Sequence, residues 1–156
     1  MTITALFPGS FDPFTKGHEY IVEKALQLFD NVCIAVGTNV SKKGLLSVEN
    51  RIRLIKDVYA YNPRVRVVSY GSLTGQFALE QGASVIVRGI RNSIDFNFEH
   101  DIEATNRILF PSITTVFLAT PSEYAHLSSS VVRELLAFGR DVSEFLPGNI
   151  DIAKYL

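Results

Sequence analysis

The chain has 156 residues, a length that suits one domain, 1–156, with a substantial buried core. Apolar residues make up 47% and charged residues 20%, with a formal net charge of −1, so no global basic field recruits nucleic acid. The one cysteine, Cys33, excludes an internal disulfide and reads as a small buried apolar residue inside the strand-like run NVCIAVGT. No Cys/His cluster has zinc-ligand spacing, and no residue is assigned as a metal ligand. No apolar run approaches the ~18–20 residues of a membrane span, and the N-terminus lacks a charged-then-apolar leader. These readings place the protein in the cytoplasm, with no membrane partner.

In chain order, ITALF (3–7) reads as a first strand, followed by the turn PGSFDPFTKGH. The next segment carries Ile21, Val22, Ala25, Leu26 and Phe29 at helical period. VCIAVGT (32–38) is a second strand. SVENRIRLIKDVYA is a helix with Ser47 as N-cap and Ile52, Ile55, Val58 and Tyr59 on one face. RVRVVSY (64–70) and SVIVR (84–88) are the third and fourth strands, and residues 73–75 read as a loop after the third. A long helix is predicted over 93–110, a fifth strand over 114–119, and a helix over 128–138 closed by Gly139. The tail reads as short helical pieces broken by Pro147-Gly148.

Several strands are nearly continuous apolar runs, which points to burial on both faces and parallel pairing. Five such strands alternating with helices predict an α/β fold with a doubly wound, five-stranded parallel sheet. Ligands in such folds sit beyond the carboxyl ends of the strands, at the switch point of the strand order.

The unusual residues fall at those strand ends. Gly9 lets a ligand approach the backbone, Ser10 adds a hydroxyl and an amide, and Asp12-Pro13 makes a turn. Gly17-His18 opens a helix whose free amides favour anions. Taken alone, His18 is a helix N-terminal histidine satisfied by a carbonyl. Lys42 and Lys43 follow the second strand, where a lysine pair is usually solvated. Arg88 closes the fourth strand and Arg91 stands on the turn beyond, and each has a structural alternative in a salt bridge to Glu99 or Asp95. The three serines of HLSSSVVRE exceed what one helix cap needs. Together these groups suit a polyphosphate with charge developing in a transition state.

At this point three motifs carry a resemblance. GSFDPFTKGH resembles the G-x-F-D-P-x-T-x-G-H signature of the nucleotidyltransferase superfamily with the T/H-x-G-H motif. VRGIRNSIDFNFE and LSSSVVRE resemble the other marks of the bacterial phosphopantetheine adenylyltransferase family, in the same order and over essentially the whole chain. The resemblance implies a Rossmann-like nucleotidyltransferase fold. It also implies transfer of AMP from ATP to 4′-phosphopantetheine with Mg²⁺, giving dephospho-coenzyme A and pyrophosphate by direct attack without a covalent intermediate.

Carried over by position, the resemblance makes His18, Lys42 and Ser10 catalytic. Ser10, Phe11, His18, Gly89, Ile90, Arg91 and Glu99 would form the ATP site, with Tyr124, Ala125, His126, Leu127, Ser128, Ser129 and Ser130 over the adenine and phosphates. Ser10, Lys42, Leu73, Thr74, Arg88, Ile102 and Asn106 would receive the phosphopantetheine. It further implies a homohexamer and possible feedback by coenzyme A. The sequence departs from the family pattern in Ser10 for the commoner threonine, Phe7 for tyrosine, and Thr74 for leucine or methionine. The competing readings are a sibling transferase acting on nicotinamide mononucleotide, glycerol phosphate or phosphocholine, a non-catalytic nucleotide-binding regulator, and a domain whose loop charges are merely structural.

Overall fold

A computed structural model describes residues 1–39 and 43–156, and in it strand and helix alternate almost from end to end. The order is β1 (Thr4–Gly9), α1 (Lys16–Leu28), β2 (Asn31–Gly37), α2 (Val48–Val58), β3 (Val65–Tyr70), α3 (Thr74–Glu80), β4 (Val85–Ile90), α4 (Ser93–Leu109), β5 (Thr114–Ala119) and α5 (Ser129–Ala137). Two 3₁₀ turns follow, Ser143–Phe145 and Ile152–Lys154, on either side of Pro147-Gly148. The sheet is five-stranded and parallel, in the order β3-β2-β1-β4-β5, so the strand order reverses between β1 and β4. Among the described residues, no helix is long and apolar enough to cross a membrane.

The period-2 alternation of the strands builds a core on each face. Ala5 and Phe7, then Val32, Ile34 and Val36, then Val85 and Val87 enter one cluster with Val22, Leu54, Ile55 and Val132. Leu6, Cys33, Ala35 and Ile86 point the other way, into a smaller cluster with Phe77, Ala78 and Ile113. Cys33 is fully buried there, and burial pushes its thiol pKa up.

Two segments differ from the sequence reading. Residues 74–80, begun as a loop in that reading, form α3. Its N-cap is Leu73, which supplies no side-chain cap, so the usual start marker is missing. The helix is held by Phe77 and Ala78 in the smaller core and by a close approach at Gly75, where a Cβ would stand 2.1 Å from the Phe110 ring. The fourth strand runs on to Ile90, because Arg88, Gly89 and Ile90 pair with Phe117, Leu118 and Ala119 of β5. The long helix α4 forms as expected, yet the one residue it buries is Glu99, while Ile94, Phe98 and Ile108 remain exposed.

The C-terminus of α1 has no basic residue in its last turn. Arg64, just before β3, supplies that charge from a distance. Its Nη2 donates to the carbonyls of Leu26 (2.6 Å) and Phe29 (2.8 Å), and its Nε to that of Asp30 (2.7 Å). Arg64→Ala is therefore expected to remove about 1–2 kcal/mol of stability, given the exposure of these charge-assisted bonds. Thermal melting should show a drop of a few degrees.

Candidate active site

The site exists because two neighbouring strands part. β1 pairs with β2 along its whole length, from Thr4↔Asn31 to Gly9↔Val36. With β4 it pairs only at Ala5↔Val85 and Leu6↔Ile86. Beyond that point Pro8 has no N–H to donate, and the strands open a crevice at the switch point. Two cavities share the crevice. The larger, of about 360 Å³, lies against the start of α1 and α5. The smaller, of about 210 Å³, lies toward α3 and α4. Pro8, Arg88 and Glu99 line both.

The loop from Gly9 to Thr15 forms one wall, and its many turn residues follow from how it is suspended. Asp12 is buried, and its carboxylate accepts the backbone N–H of Leu45 on Oδ2 and of Leu46 on Oδ1, both at 2.8 Å. Arg51, also buried, stands 3.5 Å from Asp12 Oδ1 and donates to the carbonyls of Leu46 and Ser10. From the other side Arg133 donates to the Asp12 carbonyl (2.8 Å) and Ser129 Oγ to the Pro13 carbonyl (2.8 Å). The Asp12-Pro13 peptide is cis and Phe11 takes the left-handed φ of 50°. Gly9 is bare for a reason the sequence did not reveal. A Cβ there would stand 2.9 Å from the Phe11 ring, which packs edge-on against Phe7.

His18 sits at the third residue of α1, packed near the rings of Phe7, Phe11 and Phe14. Its partner is not the expected carbonyl. The N–H of Thr15, the N-cap residue, donates to His18 Nδ1 at 3.0 Å, in a reciprocal capping box. Because Nδ1 accepts, the ring proton of the neutral imidazole resides on Nε2. Burial, then the nearby charges of Arg88 and Arg91, lower the His18 pKa to about 3. Among the described residues Nε2 has no hydrogen-bond partner, so a neutral ring brings a donor to the cavity it lines.

The arginines are paired. Arg88 donates from Nε to Glu99 Oε2 (2.9 Å), from Nη2 to Glu99 Oε1 (2.6 Å) and from Nη1 to the Pro8 carbonyl (2.6 Å). Arg91 donates from Nε to Asp95 Oδ2 at 2.9 Å, and these hydrogen bonds hold the Asp95 carboxyl below its usual pKa. Both salt-bridge alternatives therefore form. The three serines also have separate partners. Ser128 Oγ caps α5 by accepting from Val131 N–H, Ser129 reaches Pro13, and Ser130 Oγ accepts from Arg133.

Of the residues singled out from the sequence for ATP, the larger cavity gathers Ser10, Phe11, His18, Gly89, Arg91, Glu99, Tyr124, Leu127, Ser128, Ser129 and Ser130. Ile90, Ala125 and His126 lie outside its wall: Ile90 is held in the β4–β5 ladder, and the His126 ring packs near Phe145. The smaller cavity gathers Thr74, Arg88, Ile102 and Asn106. Leu73 is exposed and does not line it. Lys42 lies outside the described residues. The wall also includes residues the sequence reading did not select. In the larger cavity these are Thr15, Asp95, Thr120 and Arg133, and in the smaller Tyr70 and Glu103. Thr15 was findable as a hydroxyl three residues before His18, and Arg133 as a cation one helical turn after Ser130. Tyr70 gives no local sign. Its hydroxyl is 3.0 Å from Thr74 Oγ1, so the polar group at this departure from the family pattern is satisfied within the protein.

The sequence matches the Cytidylyltransferase-like family over residues 6–135. The phosphopantetheine adenylyltransferase of Porphyromonas gingivalis is 48% identical over 143 residues, covering 92% of this chain and 93% of that protein. That of Heliobacterium modesticaldum is 46% identical over 147 residues, covering 94% and 87%. Among solved structures, a protein from Vibrio parahaemolyticus superposes on 100% of this chain and 92% of its own, with TM-score 0.73 and 18% identity. A bifunctional NMN adenylyltransferase/ADP ribose pyrophosphatase from Francisella tularensis has TM-score 0.69 and 18% identity, over 97% of this chain and 47% of its own. These two likenesses bear on the fold alone.

Proposed function

As the chain belongs to the phosphopantetheine adenylyltransferase family, within the Cytidylyltransferase-like proteins, we propose that the crevice transfers the adenylyl group of ATP to the phosphate of 4′-phosphopantetheine. The larger cavity takes ATP and the smaller takes the acceptor. An acceptor phosphate oxygen attacks the α-phosphorus, the bond from that phosphorus to the bridging oxygen breaks, and pyrophosphate leaves with the oxygen. Dephospho-coenzyme A is the product and no residue is covalently modified. Catalysis is then positioning and charge stabilisation.

The observation that carries this reading is the His18 ring, fixed by Thr15 as a neutral Nε2–H donor on the wall of the ATP cavity. Placed against the α-phosphate, that donor stabilises the charge that builds there. Ser10 and the Phe11 amide orient the reacting phosphates, the start of α5 faces the triphosphate, and Lys42 helps neutralise the reacting groups. Mg²⁺ held by the ATP phosphates themselves would supply counter-charge to them. The carboxylates facing the cavity, Asp95 and Glu99, are each paired with an arginine, and no group of three or more potential ligands forms among the described residues. Coenzyme A, which contains the same pantetheine arm, would compete for the acceptor cavity. The exposed apolar residues of α4 are consistent with assembly into a homohexamer.

The test is pyrophosphate release from ATP and Mg²⁺ with 4′-phosphopantetheine, set beside nicotinamide mononucleotide, glycerol phosphate and phosphocholine. Preference for any of the other acceptors would overturn the substrate, and ATP binding without pyrophosphate release would overturn the reaction. Arg91→Ala provides a finer check. It should raise the KM for ATP roughly ten-fold, the scale of one charge-assisted hydrogen bond, and leave the acceptor KM within a few-fold. If Arg91 only braces Asp95, the melting temperature falls instead and both KM values stay put.

A further inference from the structure

One stretch of the larger cavity's wall carries no charge: Ile21, Gly89, Thr120, Tyr124 and Leu127. Close approaches hold it together. A Cβ at Gly89 would stand 3.0 Å from Ile21 Cγ1 and 3.7 Å from Thr120 Oγ1. A Cβ at Gly17, one turn before Ile21 on α1, would stand 3.7 Å from the carbonyl oxygens of both Tyr124 and Leu127. Phosphates suit the part of the wall that bears arginines, and a planar base suits this uncharged part. Its piece with the least backbone support is the turn 121–127, which joins β5 to α5. The hydrogen bonds of that turn are local, from Tyr124 N–H to the Pro121 carbonyl (2.9 Å) and from Leu127 N–H to the Tyr124 carbonyl (3.0 Å). Among the described residues, none ties it to α1. Packing does so instead. Leu127 is buried, and the Tyr124 ring lies against that of Tyr20 on α1, with centroids 5.7 Å apart and planes tilted by 54°. Tyr20 is half-buried against the main core, and Lys24, one helical turn on, sets its ammonium 5.5 Å from the Tyr20 ring centroid.

We propose that Tyr20 is a positioning residue for the nucleotide base: its ring holds Tyr124, and with it the turn 121–127, as the wall against which the base lies. Tyr20 does not line the cavity and acts through Tyr124. The inference rests on the adenylyl-transfer reading above and deepens it. It also gives α1 a second task. His18 stands two residues before Tyr20, so one helix places both the donor for the α-phosphate and the support of the base wall. The span between them is set before ATP arrives, and the turn is ordered by folding rather than by binding.

The test is calorimetric binding of ATP and of inorganic tripolyphosphate, each with Mg²⁺, to the wild type and to Tyr20 and Tyr124 variants. Tripolyphosphate offers a chain of three phosphates without the base. Tyr20→Ala should weaken ATP binding about three- to ten-fold, the scale of one aromatic pair, and leave tripolyphosphate within about two-fold. Tyr20→Phe keeps the ring and should bind ATP within about two-fold of wild type. Tyr20→Leu keeps apolar bulk against the core and should weaken ATP as the alanine variant does, so it decides the matter if the alanine form does not fold. In the Tyr124→Ala background, Tyr20→Ala should add almost nothing to the loss. Equal losses for ATP and tripolyphosphate, or additive losses in the double variant, would overturn the proposal. So would a lowered melting temperature with unchanged ATP affinity. A wild type that binds ATP yet releases no pyrophosphate overturns the reaction and leaves the Tyr20 result standing, whereas one that binds no ATP overturns both.

Discussion

His18→Ala should lower kcat by ~10²–10³, the usual loss when one preorganised donor to developing charge is removed, while the KM for ATP changes only a few-fold. The ring is held on one side by the Thr15 amide and packed among three phenylalanines, so its Nε2–H needs no reorganisation at the moment of reaction. The pH behaviour has a definite sign. An unfolded histidine titrates near 6.5, whereas folded His18 is lowered to about 3 by burial and then by Arg88 and Arg91. Between those values the unfolded chain binds a proton that the folded chain excludes, so stability falls as pH drops from about 6.5 toward about 3. The alanine variant lacks this contribution and should lose less stability than the wild type between pH 7 and pH 5. In NMR titration the His18 ring resonances of the unliganded protein should stay flat through pH 6.5. A midpoint there, or a kcat within a few-fold of wild type, would sink the assignment.

Much of this architecture was written in local pattern. The five strands are apolar runs whose two faces both enter cores, and Ser47 and Gly139 mark helix ends by rules that hold within a few residues. What was illegible depends on contacts far apart in sequence. α3 has no side-chain cap and is held by Phe77 and Ala78 in the smaller core, with Gly75 left bare beside the Phe110 ring, 35 positions further on. The site divides in the same way. The motifs marked the loop, the arginines and the serines. They did not show that Nδ1 of His18 is an acceptor, which reverses the meaning of its capping role. Nor did they show that the strands part after Leu6 and Ile86, which is what makes two cavities instead of one. Asp12 and Arg51 appeared only as a turn residue and as a helical polar position, 39 residues apart. Their burial against each other is a tertiary fact.

That pair carries the largest expected effect on stability. Asp12→Ala strips the carboxylate from a guanidinium whose side chain is 9% exposed, and it also removes the acceptor for the Leu45 and Leu46 amides. Breaking a buried pair by deleting one partner costs about 3–5 kcal/mol, mostly because the other charge is left uncompensated. For a chain of this size the melting temperature should fall on the order of 10 °C. Arg51→Met should also destabilise, since Asp12 would then keep its two amides but lose the cation, and the Ser10 and Leu46 carbonyls would lose their donor. The double variant Asp12→Asn with Arg51→Met distinguishes a charge effect from a packing effect. It leaves no buried ion, and the asparagine oxygen can still accept from one of the two leucine amides. It is therefore expected to melt above Asp12→Ala, although it carries one more change. The functional consequence differs from the thermal one. Arg51 and Arg133 hold the Ser10 and Asp12 carbonyls, so the double variant, even if it regains stability, should not regain full turnover. Urea unfolding of the three variants, beside their kcat at a temperature where each is folded, separates these effects. A melting temperature for Asp12→Ala within about two degrees of wild type would show that the ion pair does not hold the loop.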